Sequence, residues 1–214
     1  MNRKAILIGA TGAVGRELLQ RLLADERYGN VTILVRRLPG ISHPKLNTHL
    51  VRFDHPEEWA GLLEGADVAF SCLGTTLHDA GSQAAQHKVD YAYQWAFARA
   101  AKQAGIPQFV LVSSIGADSR SRSFYLRMKG QLDEAVQALD FPRLVIARPP
   151  LLIRPGTTRW TERIGLPVLR LLNRVGLMRQ MAPMPTAEVA QDLINLAADT
   201  TPGYISRTLK AHEA

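Results

Sequence analysis

Short apolar runs alternate along the chain with stretches whose apolar positions recur every three or four residues. Ala5–Ile8 is a continuous apolar run, and Val14, Leu18, Leu19, Leu22 and Leu23 then repeat at helical spacing. Val31–Val35, Thr48–Phe53, Val68–Cys72, Phe109–Val112 and Leu144–Ala147 read as further strands. Between them lie helical patterns over Pro56–Leu63, Ser82–Ala104 and Phe124–Leu139. The first opens on proline, where a missing N–H costs nothing. The second is stopped by Gly105 and Pro107. This alternation predicts an α/β fold: a Rossmann-like, doubly wound parallel sheet with helices on both faces. Cover on both faces is why the strands are apolar throughout rather than alternating.

The pattern changes after Ala147. Arg148-Pro149-Pro150 and Arg154-Pro155-Gly156 cannot continue a strand, so the chain leaves the sheet there. Trp160–Met178 reads as a cationic helical stretch, and Thr186–Ala198 as a helix with Thr186 as its N-cap and Glu188 in its first turn. No repeat, low-complexity tract or linker divides the 214 residues. The expectation is a single domain, a ligand-binding core over 1–148 followed by a small helical extension over 149–214.

Composition narrows the class. Hydrophobic residues make up 46% and charged residues 21%, a balance that excludes intrinsic disorder. No apolar run approaches the roughly 20 residues of a membrane helix, and glycine at position 9 comes too early for a secretory signal. Cys72 is the only cysteine, which excludes an intrachain disulfide and points to a reduced, cytoplasmic setting. The six histidines form no HxH or HExxH pair, so no metal is expected. The net charge of +7 is concentrated: eight arginines face one acid, Glu162, between Arg143 and Arg179, and the rest of the chain is neutral. No helix-turn-helix, zinc-finger or RRM signature accompanies it, so nucleic acid is not the expected partner. Trp160, Ile164, Leu166, Leu169, Leu172 and Leu177 lie among those arginines. Such a stretch packs as a lid over a substrate pocket with its arginines in solvent, or lies on an anionic membrane surface.

Gly9-Ala10-Thr11-Gly12-Ala13-Val14-Gly15 is a GxxGxxG placed between the first strand and the first helix. Glycines there permit a tight turn, the approach of a pyrophosphate to backbone, and close packing of helix on strand. The helix start supplies free N–H groups for the phosphates. This predicts a nicotinamide dinucleotide site at Gly9, Thr11, Gly12, Ala13, Val14 and Gly15. An NAD site ordinarily carries an acid about 20 residues on. Here position 36 follows Gly15 by 21 residues, and the segment reads Leu34-Val35-Arg36-Arg37. Two guanidinium groups suit the 2′-phosphate, so NADP(H) is expected over NAD(H). Phe53-Asp54 ends the third strand beside the expected adenine. Leu73-Gly74-Thr75 follows the fourth, at the carboxyl edge where such sheets bind ligand. Cys72 before it reads as a small buried hydrophobe.

The fifth strand ends in Ser113-Ser114, and Tyr125-Leu126-Arg127-Met128-Lys129 follows on a helix, with phenol and ammonium four residues apart on one face. A phenol titrates near pH 10, so acid–base work near pH 7 needs a shift worth roughly 4 kcal/mol. A cation about 4 Å away supplies about that much at an effective dielectric near 20.

With GxxGxxG, the Ser-Ser strand end and YxxxK in that order, the chain resembles the short-chain dehydrogenase/reductase superfamily, in its extended or atypical branch. Within that branch it is similar to the Tat-interactive-protein-like oxidoreductases. The matching stretches are Gly9–Gly15, Ser71–Thr76, Ser113–Asp118, Phe124–Gly130 and Arg148–Leu152, and the likeness spans about residues 4 to 200. The resemblance implies Ser114, Tyr125 and Lys129 as the catalytic trio, with Ser113 the second choice for its serine, and Pro149 to Leu151 near the nicotinamide. Many superfamily members carry Asn in the helix before the fifth strand, where it supports a water in the proton relay; Asp90 stands at that place here. Extended members that process nucleotide sugars carry a sizeable C-terminal part, whereas 66 residues follow Arg148. The expected function is NADPH-dependent reduction of a small or apolar carbonyl compound, with Tyr125 as general acid. The alternatives are an NADPH-binding regulatory or interaction protein with little turnover, and a flavin-type reductase of the same fold.

Overall fold

The computed structural model describes residues 2–153 and 183–211. Seven parallel strands form one sheet: β1 (Arg3–Ile8), β2 (Tyr28–Val35), β3 (Leu46–Leu50), β4 (Val68–Ser71), β5 (Gln108–Val112), β6 (Arg143–Arg148) and β9 (Gly203–Thr208). Their order is β3-β2-β1-β4-β5-β6-β9, so the winding reverses between β1 and β4. That reversal opens a crevice at the carboxyl ends of these two strands. The Rossmann-like reading of the sequence is therefore the fold observed.

The apolar stripe of α1 (Ala13–Ala24) buries Val14, Leu18, Leu19, Leu22 and Leu23 against one face of the sheet, beside α7 (Thr186–Ala198). The other face is covered by α2 (Pro56–Trp59) with its following 3-10 turn Ala60–Leu63, by α5 (Tyr93–Gln103) and by α6 (Phe124–Gln137). Two large hydrophobic clusters thus sandwich strands such as Phe109–Leu111, which are fully buried.

The structure corrects four expectations of local structure. The third strand ends at Leu50 rather than Phe53, because its only neighbour β2 ends at Val35, opposite Leu50. Phe53 then turns inward to stack on Tyr93, with ring centroids 5.4 Å apart. The long helix begins at Ser82, whose hydroxyl accepts from the Ala85 N–H, but α4 (Gln83–His87) and α5 are joined through a π-helical turn over Lys88–Ala92. A separate four-residue helix, α3 (Leu77–Ala80), precedes it across Gly81. Thr186 is the first helical residue of α7 and not its cap, which is Pro185. Finally, the sequence reading missed β9, and with it the two-residue strands β7 (Leu152–Ile153) and β8 (Met184–Pro185) that pair with each other. Being an exposed edge, β9 carries no apolar run to betray it. Arg154-Pro155-Gly156 and the cationic stretch Trp160–Met178 fall outside the described residues.

Candidate functional site

The turn after β1 fills the crevice. Gly9 has φ +82°, and a Cβ there would stand 2.4 Å from the backbone carbonyl of Cys72 at the end of β4. A Cβ at Gly15 would stand 2.1 Å from the Gly9 oxygen. These two glycines let β1, β4 and α1 meet backbone to backbone. Gly12 differs: it is exposed, its φ of −76° suits any residue, and a Cβ would come 3.2 Å from the Gly9 oxygen. It sits at the N-terminus of α1, where no side chain caps the helix and no acid occupies the first turn. Val14 sends its side chain into the core, so with Ala13 and Gly15 it offers a ligand only backbone.

Of the residues expected to bind the cofactor, Gly9, Thr11, Arg36, Arg37, Phe53 and Leu73 line one hollow of about 420 Å³. Ala10, Leu34 and Val35 line it too. Sequence reasoning passed over these three because they are ordinary apolar residues of strand and turn. Arg36 and Arg37 are exposed at the end of β2. Asp54 turns elsewhere: it accepts a hydrogen bond from the Tyr93 hydroxyl at 3.0 Å and pairs with Lys88 at 2.8 Å, contacts that hold its carboxyl below the usual range. The glycine turn, the open helix start and the two rim arginines fit the phosphate-bearing half of a nicotinamide dinucleotide.

Gly74 and Thr75 lie beyond Leu73, in a loop anchored from below. The Thr75 N–H donates to Asp90 Oδ2 at 2.9 Å, and Gln86 Nε2 donates to the Thr75 carbonyl at 3.3 Å. Asp90 occupies the π-helical turn and is 2% exposed. Burial pushes its carboxyl up to about 6, against the pull of the Lys129 charge and the Thr75 N–H. A π-turn of this kind re-registers one face of a helix, here setting the buried Gln86, Asp90 and Gln94 in a polar row toward the sheet.

The other half of the site lies at the ends of β5 and β6. Ser113 is buried, and Ser114 is partly exposed with its hydroxyl 3.3 Å from the Ile115 carbonyl. Tyr125 stands in the first turn of α6 and is 37% exposed. Lys129, one turn later, points inward: it is 2% exposed and donates to the Val112 carbonyl at 2.9 Å. Burial lowers its pKa, opposed by the charges of Asp90 and Asp133. The Cys72 thiol faces the same cluster and is pushed up to about 12 by burial, so it stays neutral. Pro149 is buried, and its carbonyl accepts the Ile115 N–H at 3.0 Å, tying the segment after β6 to the serine loop; Leu151 is exposed. Sequence reasoning quoted Gly130 without seeing its task. A Cβ there would stand 2.2 Å from the Ser119 backbone nitrogen, so only glycine lets α6 press against the loop that follows Ser114.

A hollow of about 480 Å³ also opens at the opposite, amino end of the strands, beside Arg3, Gln108 and Arg143. It has neither a glycine turn nor a helix start, and its arginines bond protein partners: Arg3 to Gln108 and the Ala197 carbonyl, Arg143 to Asp199. Among the described residues, His55, Glu57 and Glu58 form one group close enough to share a cation, but Glu58 is already paired with Arg52.

The family described as NAD(P)H-binding matches residues 9–165. The protein FMP52-1, mitochondrial, of Scheffersomyces stipitis is 36% identical over 98% of this chain and 95% of its own length. The FMP52 protein, mitochondrial, of Debaryomyces hansenii is 39% identical over 91% of this chain and 88% of its own. HTATIP2 of Rattus norvegicus is 35% identical over 76% of this chain and 69% of its own. Among solved structures, MoeE5 in complex with UDP-glucose and NAD superposes with a TM-score of 0.74 at 16% identity, covering 97% of this chain and 76% of that one. These names correct the expected cytoplasmic setting, since the FMP52 relatives are called mitochondrial and point there instead. A lone cysteine indicates a reducing milieu, which does not single out the cytoplasm. The chain belongs to the NAD(P)H-binding family, beside the HTATIP2 and FMP52 proteins.

Proposed function

We propose that the chain, acting as one domain, is an NADPH-dependent reductase of a small or apolar carbonyl compound, with Ser114, Tyr125 and Lys129 at its reaction centre. The observation that carries this reading is the 2.9 Å hydrogen bond from Lys129 to the Val112 carbonyl, which ties the Tyr125 helix to the strand end bearing Ser113 and Ser114. When bound, the dihydronicotinamide supplies hydride. Ser114 holds the substrate carbonyl oxygen, and Tyr125 donates the proton to it. The buried Lys129 charge and the first turn of α6, whose dipole adds roughly 0.3 to 1 kcal/mol, together favour the ionised phenol. Pro149 and Leu151 border the nicotinamide end.

The preference for NADPH rests on Arg36 and Arg37 at the rim of the hollow, with no acid at the end of β2. The test is oxidation of NADPH against a panel of aldehydes, ketones, quinones and free flavin. Turnover of a carbonyl compound supports the reading. Tight NADPH binding without turnover across the panel favours a regulatory or interaction protein, and turnover of flavin alone favours a flavin-type reductase.

A further inference from the structure

Asp133 lies one helical turn beyond Lys129 on α6, and both side chains are buried, at 3% and 2% exposure. Its Oδ2 accepts two hydrogen bonds from Arg148 on β6, from Nε at 3.1 Å and from Nη2 at 2.8 Å. Arg148 directly precedes Pro149. Burial pushes the Asp133 pKa up, against the pull of the Ser113 hydroxyl, Arg148 and the Lys129 charge, which favour the ionised carboxylate. Yet neither Ser113 Oγ nor Asp133 Oδ1 has a hydrogen bond of ordinary length. A buried carboxylate with one oxygen spare is costly to keep unless its charge is used.

The charge has a user beside it. Three groups act on the Lys129 ammonium: Asp90 from the π-helical turn, the neutral Cys72 thiol just past β4, and Asp133 from its own helix, which Arg148 on β6 bonds in turn. Its hydrogen bond to the Val112 carbonyl uses one of three protons. Without carboxylates nearby, burial would drive this lysine toward its neutral form. Asp90 alone is an uncertain counterion, because it protonates near pH 6 and its Oδ2 is occupied by the Thr75 N–H.

We propose that Asp133 is a positioning residue of the site: clamped by Arg148, it keeps the Lys129 ammonium charged beneath the end of β5 and ties the Pro149–Leu151 segment to the helix that carries Tyr125. This rests on the reading of Lys129 as the cation of the reaction centre, but the decisive measurement is independent of turnover. In the cofactor-free protein with isotopically labelled lysine, the Lys129 ammonium is titrated by NMR in the wild type and in Asp133→Asn. The lysine midpoint falls by at least one pH unit, a tenfold change in its protonation equilibrium, and Asp133→Glu restores most of it. NADPH affinity measured by calorimetry falls more at pH 8.5 than at pH 6.5, because the ammonium is then lost within the working range. Should Asp133→Asn not fold, the double variant Asp133→Asn/Arg148→Met removes both charges of the pair and is predicted to lower the same midpoint. A Lys129 midpoint within 0.2 unit of wild type in the folded variant overturns the proposal, and a drop in melting temperature alone marks Asp133–Arg148 as a structural ion pair. Absence of turnover on every carbonyl compound, with the Lys129 shift intact, removes the reductase reading and leaves the role of Asp133 standing.

Discussion

The Lys129 ammonium donates to the Val112 carbonyl at 2.9 Å, from a side chain almost wholly out of solvent, while Tyr125 four residues earlier is 37% exposed. The helical spacing predicts both groups on one face, and so they are, but at different depths. The lysine is locked to the strand end, and the phenol is partly open to solvent. Replacing Lys129 by Met keeps the bulk and removes the charge. The pH at which activity depends on phenol ionisation is then expected to rise, since the compensating cation is gone, and the Asp90 carboxyl to move above about 6. A pH–rate profile and NMR titration of Asp90 check the two effects separately.

The glycines of the turn divide into two kinds. Gly9→Ala is predicted to prevent folding, because its Cβ would meet the Cys72 backbone at 2.4 Å in a left-handed conformation. Gly12→Val, at an exposed helix cap in an ordinary conformation, is predicted to fold and to lose most NADPH affinity. Circular dichroism and calorimetry on the two variants distinguish them.

Arg36→Ala/Arg37→Ala is expected to cost NADPH binding about 1.5 to 3 kcal/mol per charged hydrogen bond lost, with NADH nearly unaffected. Equal affinity of the wild type for the two cofactors would exclude a role for these arginines in the choice.

Asp90 makes stability depend on pH in an unusual direction. Its folded pKa, about 6, lies above its ordinary value of 3.8, so the native state binds the proton more tightly than the unfolded chain between those values. Its contribution is fully present below about pH 4 and is lost as pH rises through about 6. Asp90→Asn keeps an acceptor for the Thr75 N–H and removes the titration. The wild type should therefore lose about 2 to 3 kcal/mol of stability relative to this variant between pH 4 and pH 7, read from urea unfolding at each pH.

What the residues disclosed and what they hid follow a physical division. The sheet core was legible because buried parallel strands must be apolar throughout, and the glycine turn because only glycine permits its contacts. The edge strand Gly203–Thr208 was not, since exposure leaves its sequence free of pattern. Lys129 and Tyr125 could be paired by spacing, but their depths depend on how α6 packs, which Gly130 decides through a contact with a loop eleven residues earlier in the chain. Asp133 and Arg148, fifteen residues apart, carry no local signal of being partners. The basic stretch between Arg143 and Arg179 splits likewise: Arg143 and Arg148 prove to be bonded to Asp199 and Asp133 rather than offered to a membrane or a nucleic acid.

The reduction chemistry itself is tested most directly by Tyr125→Phe, measured on a carbonyl compound that the wild type turns over. Only a hydroxyl is removed from a partly exposed ring, so the melting temperature and NADPH affinity should match the wild type. If Tyr125 donates the proton, kcat falls by about 10² to 10⁴. A Tyr125→Phe protein that reduces the same substrate at the wild-type rate would contradict the mechanism while leaving the fold and the family untouched.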